Sequence, residues 1–243
     1  MAIDQLYASR IRNEVGLFAT WLPNARIEIG QYGPLRRALF QPQGQLKGFH
    51  ANTSAAKANY DFTICAERVI NPNAQALAEA GVSSGNVLLE VHFSSEAAVT
   101  FSAPDAVITR VDDIRALGEQ LVEMQKAGTW RWDDGIVIEV VTAPRATIIA
   151  SQERNAVVKF EVSAQAATRG GVMASLDESS SVRIMKGVGA KIIGQGPLTP
   201  LFRLAFLKSY LFSDPTISLR GPAETDNAPE RVEISATEYL EIY

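Results

Sequence analysis

The side chains able to do acid–base, nucleophilic or metal chemistry are few and far apart in this sequence. The 243 residues include two histidines, His50 and His92, and one cysteine, Cys65. Neither histidine stands at a zinc-ligand spacing from the other or from Cys65. Asp133 and Asp134 are adjacent, and adjacent side chains of an extended chain point apart, so they form no paired-carboxylate site. The sequence therefore predicts no catalytic residue, metal or cofactor, and hence not an enzyme.

A glycine-bearing stretch, "MKGVGAKIIGQG", is the other candidate for chemistry, since glycine-rich loops can hold phosphate. It lacks the Gly-Lys-Ser/Thr ending of a nucleotide-binding loop. Its glycines also precede a predicted strand, whereas a phosphate loop opens a helix. The stretch is therefore interpreted as structural.

Composition limits the class of protein. With 47% hydrophobic residues the chain can bury a substantial core, and its net charge of −4 argues against nucleic acid as a partner. A single cysteine excludes an internal disulfide framework. The sequence has no run of 18 apolar residues, and its first residues lack the charged-then-apolar pattern of a signal peptide. These features predict a cytoplasmic protein.

Strands are predicted wherever apolar and polar residues alternate with period two. Four such segments stand out, with these apolar positions on one face: Tyr60, Phe62 and Ile64; Val87, Leu89, Val91 and Phe93; Val158, Phe160 and Val162; Val182 and Ile184. Further strands are predicted through Ile27 and Ile29, and in "GIVIEVV" and "ATIIAS", joined at Pro144.

Helices are predicted at three places. The first 18 or so residues have helical spacing, and "DDIRALGEQLVEMQKAG" carries a stripe of Ile114, Leu117, Leu121 and Met124. In that second segment Asp112 or Asp113 can cap the start and Gly128 can end the helix. A third helix is predicted from Pro200 in "TPLFRLAFLKSYLF". The fold class is therefore α+β, with a twisted, mostly antiparallel sheet and flanking helices.

The alternation admits a second interpretation. A membrane-spanning β-strand needs roughly 9–11 residues of the same alternation, with one face toward lipid and the other toward water. A half-buried strand of a soluble sheet produces the same pattern. Both interpretations hold if the strands adopt a soluble and an inserted state.

The end of the chain combines a polar connector with an acidic, partly apolar segment. Residues 223–243 hold six acidic residues and Arg231, a net charge of −5, so residues 1–222 carry +1 of the chain's −4. The connector "RGPAETDNAP" is rich in small, polar and turn-forming residues and should be open to a protease. The apolar residues beyond it can dock on the body as a latch, or form a final edge strand.

Three stretches resemble the gasdermin family, especially its bacterial members: "LPNARIEIGQYGPLRRALF", "VDDIRALGEQLVEMQKAGTWRWDDGIVIEVVTAPRATIIAS" and "IIGQGPLTPLFRLAFLK". The resemblance implies a pore-forming domain, residues 1–222, with a short inhibitory tail, residues 223–243. Such a protein is cytoplasmic when inactive. After an activating protease releases the tail, it forms a homo-oligomeric pore in the inner membrane, and in bacteria this implies cell death in antiphage defence. Bacterial gasdermins often carry a lipidated cysteine near the N-terminus, which this sequence lacks.

The resemblance also implies roles for particular residues. The four alternating sets given above would supply the membrane hairpins. Basic residues would contact anionic phospholipid headgroups: Arg36, Arg37, Lys186, Lys191, Arg203 and Lys208. Cleavage is expected around Arg220, Gly221 and Arg231. The inhibitory tail would dock through Val232, Ile234, Tyr239, Leu240 and Ile242.

Two other classes of function remain as alternatives. A soluble, non-enzymatic α+β binding or scaffold protein would use the same strands as an ordinary sheet. A hydrolase would need a catalytic set that the sequence does not offer.

Overall fold

Two helices flank an extensive antiparallel β-structure in the computed structural model, which describes residues 2–23, 25–46, 53–70, 86–163, 182–186, 188–207 and 240–242. Helix α1 covers Ile3–Val15 and helix α2 covers Ile114–Lys126. The α+β class predicted from the sequence is confirmed.

The strands divide into short ones and long ones. The short strands are β1 (Phe18–Ala19), β2 (Gln31–Arg36), β3 (Leu39–Phe40), β4 (Gly44–Gln45), β6 (Ala66–Ile70), β11 (Val182–Lys186) and β13 (Leu240–Ile242). The longer strands are β5 (Thr53–Ile64), β7 (Asn86–Phe93), β8 (Val99–Val111), β9 (Asp134–Ser151), β10 (Val157–Ser163) and β12 (Val188–Leu207).

The main sheet is built on four strands in the order β5-β8-β9-β12, each antiparallel to its neighbour. On its other edge, β12 pairs with β1 at Phe202 and Leu201 and with β13 from Ala205 to Leu207. Strand β2 pairs with the start of β9 and carries β3 and β4. We call the second, four-stranded sheet the distal sheet; its order is β6-β7-β10-β11.

Apolar side chains on both faces of the main sheet hold the helices. Tyr7 and Ile11 of α1 pack into a core with Phe101, Val141 and Ile148 of the central strands. Leu117 and Leu121 of α2, both fully buried, pack against Ile136, Ile138 and Ala205. Because both faces are covered, the middle of β9 is buried over most of its length.

Helix α2 forms for the reasons that its sequence indicates. The Asp113 carboxylate accepts a hydrogen bond from the Ala116 amide at 2.9 Å, which satisfies one free N–H of the first turn. Gly128 has φ +70°, a left-handed conformation that glycine adopts without strain, directly after the helix ends. The predicted stripe is confirmed, since Leu117 and Leu121 are buried and Ile114 and Met124 are partly buried beside them.

Several other element predictions are wrong. Residues 200–207, predicted as a helix, are the end of β12. The segment through Ile27 and Ile29, predicted as a strand, is irregular, and the short strands β2, β3 and β4 follow it. The two strands predicted on either side of Pro144 are a single strand, β9, that runs through it.

Candidate functional site

The two sheets meet at a line that all four long strand paths cross at the same level. Cys65 stands there between β5 and β6, residues 94–98 between β7 and β8, and residues 152–156 between β9 and β10, while residue 187, between β11 and β12, lies outside the described residues. We call this line the bend. Cys65, Ala97 and Asn155 have positive φ values of 51°, 61° and 62°, so a left-handed residue turns the chain in each of the three described crossings.

The strand order is the same on both sides of the bend. The main sheet runs β5-β8-β9-β12, and the distal sheet continues those four paths as β6-β7-β10-β11. Backbone hydrogen bonds continue through the bend, from Ser94 N to Cys65 O at 2.9 Å and from Phe93 N to Ala156 O at 2.9 Å. The two sheets are therefore one four-stranded ribbon with a fold across it.

The alternating apolar positions of three distal strands share one face in register. Val91 pairs with Val158, which pairs with Ile184, and Leu89 pairs with Phe160, which pairs with Val182. Val87 pairs with Val162 in the same series. Val91 and Val158 are fully buried, whereas His92 between the apolar positions is exposed. For Val87, Leu89, Phe160, Val162, Val182 and Ile184 the structure describes the backbone pairing alone.

The structure places the first of the four alternating sets in the main sheet, away from the other three. Tyr60, Phe62 and Ile64 lie on β5 of the main sheet and pack against the α1 core. Phe62 stacks on Phe101 with ring centroids 4.9 Å apart. These side chains are therefore separated from the Val87–Phe93 set by the bend at Cys65.

The opposite face of the distal sheet carries an ion-paired cluster. Lys159 Nζ lies 2.5 Å from Glu90 Oε1, and His92 Nε2 lies 2.9 Å from Glu90 Oε2. The hydrogen bond from Lys159, and then that from His92, hold the pKa of Glu90 below its usual range. The cluster therefore joins the neighbouring strands β7 and β10 through their side chains.

A second ion pair spans the bend itself. Arg68 Nη2 on β6 lies 2.6 Å from Asp61 Oδ1 on β5 and donates to the Phe62 carbonyl at 3.2 Å. The side chains are only 21% and 31% exposed, so the pair is partly shielded from solvent. An open cleft of about 450 Å³ also lies at the bend, lined in part by Cys65, Glu67, His92 and Asn155.

The predicted headgroup residues do not form one cluster. Arg36, the last residue of β2, and Arg37, in the turn that follows it, are exposed, and Arg36 Nη2 lies 2.8 Å from Asp133 Oδ2. Arg203 Nε lies 3.5 Å from Glu139 Oε1 on the neighbouring strand. Lys186 lies on β11 and Lys191 on β12, and for these two residues the structure describes the backbone alone. Lys208 lies outside the described residues.

Part of the predicted tail is described. Leu240, Glu241 and Ile242 form β13 and pair with Leu207, Phe206 and Ala205 of β12. Arg220, Gly221, Arg231, Val232, Ile234 and Tyr239 lie outside the described residues. This pairing is compatible with both predicted roles of the tail, a removable latch and a final edge strand.

Sequence reasoning missed the bend and the exposure of Trp132 and Arg131 in the turn before β9. Cys65 and Ala97 carry left-handed backbone although neither residue type favours it, whereas asparagine adopts this conformation more readily, so the sequence signals the bend at Asn155 alone of these three positions. The sequence does carry a signal for the exposure of Trp132, because a tryptophan among charged residues near a helix end is seldom buried completely.

In the part of the chain that the structure describes, no helix has the length and apolar character to cross a bilayer. The same residues contain no group of three or more His, Cys, Asp or Glu side chains arranged to hold a metal ion.

Comparison with known proteins found similarity in structure alone. No protein-family model matches the chain, and no curated protein matches it. The structure of a bacterial gasdermin from Bradyrhizobium tropiciagri is similar at 15% identity and a TM-score of 0.33, covering 85% of this chain and 88% of that one. The cryo-EM structure of the gasdermin A3 membrane pore is similar at 10% identity and a TM-score of 0.28, covering 88% of this chain and 93% of that one.

Proposed function

We propose that this chain is an autoinhibited pore-forming protein whose four long strands open at the bend and cross a membrane as part of a homo-oligomer. The observation that carries the proposal is the common strand order on both sides of the bend. Because the neighbours are already correct, opening the bend extends existing strands and requires no new pairing within one chain. This removes the slow, non-local step that new strand pairing would add.

Strand length supports the same conclusion. Strands β7 and β10 have 8 and 7 residues, and residues 94–98 and 152–156 join them to longer strands of the main sheet. A tilted membrane strand needs roughly 9–11 residues. Straightening the bend therefore provides enough continuous strand to cross a bilayer.

In β7 and β10 the two faces of the distal sheet suit the two environments of a membrane barrel, whereas β6 places Arg68 opposite Val91 on the apolar face. The face of Val91 and Val158 would meet lipid, and the face of Glu90, His92 and Lys159 would meet water. The Lys159–Glu90 pair joins strands that stay adjacent, so it can persist in the inserted state.

The C-terminal tail supplies the inhibition in this proposal. Strand β13 covers the backbone of Ala205–Leu207 on the outer edge of β12. A ring of identical subunits joins two different edges, here β5 of one copy to β12 of the next. Proteolytic removal of residues 223–243 would free Ala205–Leu207 of β12, next to the part of that edge that pairs with β1, and change the net charge of the chain from −4 to +1, which favours an anionic membrane.

The biological role follows from the resemblance given above. A cytoplasmic precursor that permeabilises the inner membrane after cleavage would kill the cell that carries it. In a bacterium under phage attack, that death would stop phage production. The activating protease is the partner that this role requires.

The proposal is tested by cutting the connector. A protease site inserted after Gly221 should convert an inert protein into one that releases dye from anionic liposomes. The uncut variant with the same insertion is the matched control, and size-exclusion chromatography shows whether the tail leaves. No dye release from protein that has lost its tail would refute the proposal and favour a soluble binding or scaffold protein.

A further inference from the structure

We infer that a second line of strand breaks, which crosses the main sheet, persists when the bend opens and fixes where the membrane-crossing part of each strand begins. We call it the proline line. It consists of Asn59 in β5, Pro104 and Asp105 in β8, Pro144 in β9, and Gly196 and Pro197 in β12. The inference rests on the proposed function and deepens it, because it divides each long strand into a part that moves and a part that does not.

Strand β8 carries one extra residue where it pairs with β5. Asn59 alone lies opposite Pro104 and Asp105; the flanking pairs are Ala58–Ala106 and Tyr60–Ala103. The Asn59 side chain accepts a hydrogen bond from the Asp105 amide at 2.9 Å, and Asp105 has φ 54°. The extra residue is therefore a β-bulge, which bends the strand that carries it.

Strand β12 carries a matching extra residue where it pairs with β9. Pro144 alone lies opposite Gly196 and Pro197; the flanking pairs are Ala143–Leu198 and Arg145–Gln195. Gly196 has φ 107°, which favours glycine. Pairing between β8 and β9 is interrupted over residues 103–106 and 143–146. The four strands therefore break at one level, as they do at the bend.

The two lines differ in their capacity to become regular strand. Proline has no backbone N–H, so it cannot donate a ladder hydrogen bond in any state of the sheet. Three of the four strands carry a proline at the proline line, whereas the bend holds none at residues 65, 94–98, 152–156 and 187. Continuous ladder can therefore replace the bend but not the proline line.

The break in β12 has hydrogen-bond partners outside the ladder. The Thr199 amide donates to the Pro23 carbonyl at 2.8 Å, and Thr20 Oγ1 donates to the Thr199 carbonyl at 2.8 Å. The Thr20 amide donates to the Pro200 carbonyl at 3.1 Å. Because buried backbone groups need partners, these contacts stabilise the broken conformation.

The core around α1 also holds the proline line. It includes Phe101 and Ile148 beyond the line, and Val141 and Leu201 before it. Removing a bulge slips the register by one residue, which turns the side chains beyond it to the other face. Phe62, whose ring stacks on that of Phe101 at 4.9 Å, would then no longer share a face with it. Erasing the line would therefore break a packed core.

The proline line thus marks the start of the strand segments that enter the membrane barrel. These segments are residues 60–70, 86–103, 146–163 and 182–195. Each is at least as long as the roughly 9–11 residues that a membrane strand needs. The segments before the line stay with α2, whose core partners Ile136, Ile138 and Ala205 all lie on that side.

Two engineered disulfides, one on each side of the line, hold the bulge of β8 in place. Lys57→Cys with Val107→Cys lies before the line, and Thr63→Cys with Thr100→Cys lies beyond it. Both pairs are direct cross-strand partners, whose Cα atoms are close enough for a disulfide. Variants with one pair alone are the matched controls, because a single disulfide leaves the other side of the bulge free to slip.

Dye release by these variants tests the inference. They carry Cys65→Ser, so that the engineered pairs are the only thiols, and the protease site after Gly221. After cutting, the oxidised double variant should release dye from anionic liposomes at the rate of its reduced form. Mass spectrometry of protein recovered from the membrane should find both disulfides. Loss of dye release on oxidation, reversed by a reductant, would overturn the inference.

A link across the bend separates this inference from the proposed function. Asp61 and Arg68 are in contact across the bend. Asp61→Cys and Arg68→Cys, joined by a short bis-maleimide in the same Cys65→Ser background, should stop dye release, because a straight strand places these positions roughly 23 Å apart. Dye release from the linked protein, or none from reduced, cut protein, would refute the proposed function. Loss confined to the oxidised double variant would overturn the proline line and leave the pore proposal standing.

Discussion

At the scale of single residues, the packing of α2 allows a stability prediction. Leu117 and Leu121 are fully buried against the main sheet. We expect Leu121→Ala to lower the free energy of unfolding by about 2–5 kcal/mol, because it removes buried methyl groups and leaves a cavity. Urea denaturation followed by circular dichroism measures this. Arg115→Ala, on the exposed side of the same helix, is the control, and an equal loss there would contradict the assigned helix face.

The Glu90 cluster predicts a dependence of stability on pH. Its hydrogen bonds from Lys159 and His92 lower the pKa of Glu90 in the folded state. A lowered carboxyl pKa stabilises the fold above the ordinary value near 4.5, and this contribution is lost as pH falls through the lowered pKa. Glu90→Gln should therefore be less stable than the parent at pH 7, and the difference should shrink in acid. Urea titrations at a series of pH values measure it, and a gap that is constant with pH would contradict the assignment.

The apolar face of the distal sheet predicts which positions tolerate charge. Position 89 precedes Val91 by two residues and pairs with Phe160, whereas position 88 pairs with Glu161 on the alternate face. Arginine facing lipid at mid-bilayer costs roughly 2–4 kcal/mol in a β-barrel. Leu89→Arg should therefore abolish dye release by cut protein, and Leu88→Arg should not. Circular dichroism must show that both variants fold, and equal release from the two folded variants would count against the assigned face.

At the scale of elements, the bend should respond to its left-handed residues. Cys65 is exposed and has φ 51°, a conformation that glycine accepts and that β-branched residues resist. Cys65→Gly should stabilise the bent state and slow dye release after cutting, while Cys65→Val should speed it. Stopped-flow dye release from matched amounts of the two cut variants measures the order. The opposite order would mean that opening the bend does not limit insertion.

The Asp61–Arg68 ion pair should act in the same direction. It joins β5 to β6 across the bend and would be pulled apart as the strands straighten. A pair of this exposure contributes on the order of 1 kcal/mol, so Asp61→Asn should speed release about fivefold. Asp105→Asn is the control, since its partner Arg145 lies 3.9 Å away in the main sheet. Equal rates of dye release from the parent and from Asp61→Asn would show that this ion pair does not hold the bend closed.

The elements also show what sequence can and cannot predict. The prediction of strands β7 and β10 is confirmed, because one face of each carries an unbroken apolar series, with Leu88 and Val157 the apolar residues of the other face. The end of β12 has a helix-like pattern because Leu201, Phe202, Leu204 and Ala205 are buried on both faces, and register shifts interrupt its period of two. The bend is a tertiary feature, and of its three left-handed residues only Asn155 is of a type that favours this conformation.

At the scale of the whole molecule, removing the tail should change how the protein responds to salt. The body carries +1 once residues 223–243 are gone, against −4 for the intact chain. We expect cut protein to bind anionic vesicles more tightly than uncut protein at low salt, and the difference to shrink as salt screens the charges. Co-sedimentation with vesicles across a salt series measures this. A difference in binding that does not change with salt would mean that the tail acts by pairing with β12 and not through its charge.

Insertion of the distal strands into a membrane is tested most directly by measuring which face of the distal sheet reaches lipid. A leucine-sized photoreactive residue with a diazirine group is placed at position 91 or 158, on the apolar face, or at position 92 or 159, on the polar face. After cutting and incubation with anionic liposomes, irradiation should give lipid adducts from positions 91 and 158, few from 92 and 159, and none from uncut protein. Adducts that do not alternate between the two faces, or none at all from protein that releases dye, would contradict the account.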